Sequence, residues 1–139
     1  MGAIALFVLL LVAGSIPYTT PAAPDWDVTV VDSSGDPIKG VLVREVYRNY
    51  SAESEGHEVD QTSDAGGHVH FARQVTRASR LQRAFETISS AMALTHASFG
   101  PTAYVLVFRD AESAMATLGD QNSMWTGSPS SVKSKVILK

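Results

Sequence analysis

The chain has 139 residues, a formal net charge of −3, 45% hydrophobic and 18% charged residues, and no cysteine. That length suits one domain with a real core. The mild acidity provides no global basic field, so nucleic acid is not an expected partner, and the missing cysteines exclude disulfides, thiolate chemistry and cysteine-based zinc sites.

The first 24 residues carry no charged side chain, and "AIALFVLLLVA" (3–13) is an unbroken apolar run. A bilayer-spanning helix needs roughly 20 such residues, so this run fits the apolar region of a secretory signal instead. Residues 1–24 are therefore expected to be a signal peptide and leader. Small-x-small cleavage sites stand at Ala13–Ser15 and at Thr20–Ala22. A folded domain over 25–139, secreted or periplasmic at the cell envelope, is the corresponding expectation, with no integral span left after cleavage.

"WDVTVVD" (26–32) is β-branched and apolar and reads as a strand. "SSGDPIKG" (33–40) is dense in turn formers, and "VLVREVYRNY" (41–50) reads as the next strand, so an antiparallel hairpin is expected. Residues 51–64 are polar and acidic and read as a loop with a short edge strand at 57–61. "HVHFAR" (68–73) follows a glycine turn as a strand, with Val69 and Phe71 on one face and His68 and His70 on the other. Leu81, Phe85, Ile88 and Met92 then recur at helical spacing, which predicts a helix over about 76–97 whose apolar face covers the sheets. "SFGP" (98–101) ends it. "TAYVLVF" (102–108) reads as a central strand covered on both sides, "SAMATL" (113–118) as strand or helical turn, and "VKSKVIL" (132–138) as a final edge strand guarded by Lys133 and Lys135. Short strands, frequent turns and one inserted amphipathic α-helix make the fold class mainly β, a sandwich.

Two segments carry a family likeness. "VTVVDSSGDPIKGVLV" supplies Asp32, Gly35, Pro37, Ile38 and Gly40, and "QTSDAGGHVHF" supplies Thr62, Asp64, Gly67 and Phe71. Together they resemble the carboxypeptidase regulatory-like domains of the transthyretin-like group, over about a third of the chain. The resemblance implies a transthyretin-like (Ig-like) β-sandwich, usually an accessory module of exported or cell-surface proteins. It also implies that Asp32, Gly35, Pro37, Gly40, Asp64 and Gly67 build turns and perform no chemistry. The long helix departs from the family's minimal pattern.

His68 and His70 project from one strand face and would chelate a divalent metal if a third ligand, such as His57 or Asp60, came from a neighbouring strand. Strand alternation equally leaves both in water. Intradiol ring-cleaving dioxygenases use a related sandwich with a His-x-His pair and tyrosines as iron ligands. Tyr47, Tyr50 and Tyr104 invite that comparison, but the pair here directly follows the "SDAGG" corner, and no matching tyrosine motif accompanies it. Arg73, Arg77, Arg80 and Arg83, with no acid between them, would form one basic stripe on a helix. Such a stripe either is solvated or docks on lipid phosphates, an acidic polysaccharide or a partner's acidic surface. Glu53, Glu55, Glu58, Asp60 and Asp64 fit no EF-hand spacing. "NYS" (49–51) is a glycosylation sequon, and Trp26 and Trp125 are either buried anchors or sugar-stacking platforms.

The expectation is an exported, non-catalytic binding or structural module without a cofactor, whose partner is a protein or polysaccharide of the cell envelope. The alternatives are an interaction protein docking through the arginines and a metal-dependent enzyme built on His68 and His70.

Overall fold

A computed structural model describes residues 2–109, 112–115 and 124–138. The chain begins with a helix, α1 (Gly2–Ser15), and continues as strands β1 (Pro17–Ala23), β2 (Asp25–Val31), β3 (Leu42–Asn49), β4 (His57–Thr62), β5 (His68–Phe71) and β6 (Gln74–Ser79). Helix α2 (Arg80–Met92), a short 3-10 turn and strands β7 (Pro101–Arg109), β8 (Glu112–Met115) and β9 (Ser131–Ile137) complete it. A three-stranded sheet ordered β5-β2-β9 faces a four-stranded sheet ordered β4-β3-β7-β8, and β1 and β6 form a separate antiparallel ribbon. This is a mainly-β sandwich with an added amphipathic helix.

Alternation builds the core. In β2, Trp26, Val28 and Val30 are buried while Asp25, Asp27 and Thr29 point outward. Val69 and Phe71 of β5 and Val132 and Val136 of β9 join them from the same sheet. Val43, Ala103, Val105 and Val107 answer from the other sheet, with Trp125 from the loop before β9. Both indoles are fully buried and donate their N–H, Trp26 to Ser134 Oγ at 2.8 Å and Trp125 to the Pro129 carbonyl at 2.6 Å. Neither offers a face on which a sugar could stack.

Several expectations change. The turn at 33–40 does not close a hairpin: β2 pairs with β5 and β9, whereas β3 pairs with β4 and β7. Both strands bury one apolar face, and facing each other across the core satisfies both, so the turn carries the chain from sheet to sheet. Gly40 takes φ +80 at that crossing. β7 is central, between β3 and β8, yet its burial alternates instead of being complete on both sides. The expected leader is not one unit, because β1 pairs along β6 and buries Ala22 and Ala23 completely. The folded body thus starts before Asp25, and the small-x-small site at Thr20–Ala22 lies inside a strand. The helix is shorter than expected, since residues 74–79 are strand β6, held by β1. Ser79 caps α2 by accepting from the Gln82 amide. Part of the ambiguous "SAMATL" segment is β8; residues 116–118 lie outside the described residues.

Candidate functional site

The outer face of the three-stranded sheet collects the polar side chains with chemistry. Because β2 alternates, Asp27 and Thr29 point outward together, and the register sets His70 beside Asp27 and His68 beside Thr29 on β5. On the other side, parallel β9 sets Lys133 beside Asp27 and Lys135 beside Thr29. These two rows of three floor an open groove of about 850 Å³, which the Asp64–Gly66 corner lines at one end.

The rows are not equivalent. His70 Nδ1 lies 2.9 Å from Asp27 Oδ1 and 3.6 Å from Asp25 Oδ1. The hydrogen bond to Asp27, helped by the charges of Asp25 and Asp27, raises the His70 pKa above the ordinary histidine value. His68 Nδ1 instead meets Thr29 Oγ1 at 3.2 Å. At the corner, Asp64 Oδ1 accepts from the backbone amides of His68 (2.9 Å) and Gly66 (2.8 Å), which holds its carboxyl below the usual carboxylate range. Gly67 there has φ +73, and a Cβ would stand 2.3 Å from the Val30 carbonyl oxygen, so no other residue fits. Asp32 Oδ1 closes the other corner, accepting from the amides of Ser34 and Asp36.

The two histidines therefore share a face but not a site. Asp25, Asp27 and His70 place one ligand atom each within 4.8 Å of one another, a set that could take a divalent cation at an exposed position. His68 stands outside it. The expected third ligands are also elsewhere. Asp60 is held bidentately by Arg44, and His57 stacks on Tyr47 and meets Glu53 at 3.1 Å. The physical reason is pairing: β4 belongs with β3 in the opposite sheet. Tyr47, Tyr50 and Tyr104 line a separate hollow of about 180 Å³ that includes neither His68 nor His70. The acidic residues of the 51–64 segment are likewise spread over different partners. Glu53 alone accepts from the Asn49 amide and from Thr76 Oγ1. Asn49 of the sequon is buried, and its amide donates to Thr20 Oγ1 and the Pro21 carbonyl, so it is not available to a glycan.

The arginine stripe does not form. Arg73 precedes β6, Arg77 lies on it, and Arg80 opens α2. Arg83 turns inward, donating to Thr20 Oγ1 at 2.9 Å and lying over the Tyr18 ring at 4.5 Å. The helical spacing was real, but β1 draws the first half of the segment into a strand.

Glu45 is the polar residue that motif reasoning missed. It is fully buried on β3, and neither carboxylate oxygen has a hydrogen-bond partner among the described residues. Burial pushes its pKa up from the ordinary 4.5 to about 7. The signal was its phase: in "VREVY" it alternates with Val43 and Tyr47 on the apolar side of the strand.

The fold and site define a β-sandwich with an open, charged groove on one outer face. No protein-family model matches the sequence, and no curated protein does. Among solved structures, 3-chlorocatechol 1,2-dioxygenase from Rhodococcus opacus 1CP is similar over 85% of this chain and 59% of its own, at 13% identity and a TM-score of 0.43. This chain thus spans less than two thirds of that structure's length.

Proposed function

We propose that the protein is an exported, non-catalytic binding module of the carboxypeptidase regulatory-like type, which holds a carboxylate-bearing polysaccharide of the cell envelope. The apolar run at 3–13 supports export. The observation that carries the binding reading is the division of labour in the groove. Asp64 spends its carboxylate on backbone amides and Asp27 on His70. Beside these engaged carboxylates the groove offers a ligand the Lys133 ammonium on β9 and the Nε2 edges of the β5 imidazoles, whose Nδ1 atoms face Asp27 and Thr29. The groove is open, as an extended polymer requires. Of the residues that carry the family likeness, Gly35, Pro37 and Asp64 line the groove.

Retention of the full-length chain on immobilised polygalacturonate tests this. Binding is expected to weaken steeply with added salt, and Lys133→Glu is expected to lower affinity about tenfold. Unchanged retention in Lys133→Glu, or ring cleavage or hydrolysis of a small substrate by metal-loaded protein, overturns it.

A further inference from the structure

Helix α2 sits on the sandwich back to front. Its polar side faces the body: Gln82 Nε2 donates to the Ala52 carbonyl at 3.0 Å, Arg83 bonds Thr20, and Ser90 Oγ donates to the Tyr50 carbonyl at 3.3 Å. Its apolar side faces out, leaving Leu81 45%, Phe85 68%, Ile88 61% and Met92 77% exposed. A helix on the flank of a water-soluble domain ordinarily does the reverse, because burying the apolar stripe is what holds it there. Such an exposed apolar patch marks a surface suited to a protein or membrane contact.

The neighbouring helix indicates which. α1 is apolar on every side, without a buried residue, and its end lies against the start of α2: a Cβ on Gly14 would come within 3.1 Å of Leu81. At 14 residues it is about 21 Å long, short of the roughly 30 Å hydrocarbon core. No described helix is long and apolar enough to cross a membrane. A second protein would have to match two dissimilar helices. A bilayer accepts an all-apolar helix that enters part-way and an amphipathic one that lies in the interface. The charges agree. Arg80 opens α2, and Arg73 and Arg77 lie on the segment that leads into it; all three are exposed, their side chains make no hydrogen bond or ion pair among the described residues, and exposed Val75 lies between the first two.

We infer that Leu81, Phe85, Ile88 and Met92 seat on a phospholipid bilayer next to α1, with Arg73, Arg77 and Arg80 against anionic head groups. The sandwich would then ride on the membrane surface with α2 as its footing. This surface shares no residue with the groove on β5, β2 and β9, so the bilayer seat and the groove's ligand can fail separately; the seat requires that the run at 3–13 directs export and then stays attached as α1.

The chain's lack of cysteine permits a clean test on the full-length protein. Ile88→Cys is labelled with an environment-sensitive fluorophore, and Ser34→Cys, on the exposed β2–β3 corner, serves as the control. On vesicles of phosphatidylcholine with a minority of phosphatidylglycerol, brominated acyl chains are expected to quench the label at 88 and spare the label at 34. Phe85→Asp, at a position too exposed to threaten folding, is expected to weaken vesicle partitioning at least about tenfold. Arg77→Glu and Arg80→Glu are each expected to cost about fivefold on phosphatidylglycerol-containing vesicles and little on pure phosphatidylcholine. Vesicle binding with the label at 88 unquenched overturns the inference, since α1 alone would then be the anchor. So does concentration-dependent shielding of that label without vesicles, which would make a second copy the occupant.

Discussion

Strand β5 and helix α2 are both amphipathic, and they resolve their amphipathicity in opposite senses. β5 buries Val69 and Phe71 and leaves His68 and His70 in the groove. α2 lays its hydrogen-bonding side on the body and leaves Phe85 and Ile88 uncovered. Periodicity reveals that an element has two faces. Which one turns inward depends on what the neighbouring surface offers. The sandwich interior offers β5 an apolar partner, whereas β1 and the 50–52 turn offer α2 carbonyls and hydroxyls.

Truncating one aromatic on each element tests the contrast most directly. Phe71→Ala empties a fully buried site and should cost about 3–5 kcal/mol, whereas Phe85→Ala should stay within about 0.5 kcal/mol. Chemical denaturation measures both; a similar loss in the two variants would mean that α2's apolar face is buried after all.

The core side of the sandwich has its own exception in Glu45, and its effect should come next in size. The carboxyl is neutral in both folded and unfolded chains below the ordinary 4.5, so its contribution is fully present there. Between about 4.5 and about 7 the unfolded chain ionises while the buried carboxyl holds its proton, so about 3 kcal/mol of stability is lost across that interval and the loss is complete once the folded group ionises too. Glu45→Leu should flatten that part of the stability–pH curve and be the more stable chain above about 7. A parallel curve in wild type and variant would show that Glu45 finds a partner.

The smallest expected effect belongs to the groove. In an NMR titration, His70 should titrate above the ordinary histidine value, and Asp27→Asn should bring it back down. The accompanying stability is present at low pH and fades as pH rises through the folded-state pKa. A His70 indifferent to Asp27→Asn would dissolve the pairing that distinguishes the two rows of the groove.

Much of the groove was readable from local pattern. Alternation in "WDVTVVD" and "HVHF" fixes which side chains leave the core, and the corner residues follow from positive φ at Gly67 and the Asx-turn of Asp64. Pairing was not readable. Nothing in residues 26–50 says that the turn crosses between sheets, nor that β9 lies parallel to β2 and sets Lys133 beside Asp27. The same limit hid Asp25 and Asp27 as neighbours of His70 and pointed instead to His57 and Asp60. β1 was overlooked because "PYTTPAA" is rich in proline and lacks charge, and its strand state depends on residues more than fifty positions away.

By itself the sequence determined the class of the fold, because the period of apolar residues and the placement of glycine and proline act over a few residues and need no partner. Only the tertiary structure decided which strands meet, which face of α2 turns outward and which carboxylates surround His70. Those depend on contacts between distant segments, where burial and hydrogen bonding are shared and no local pattern specifies the other half.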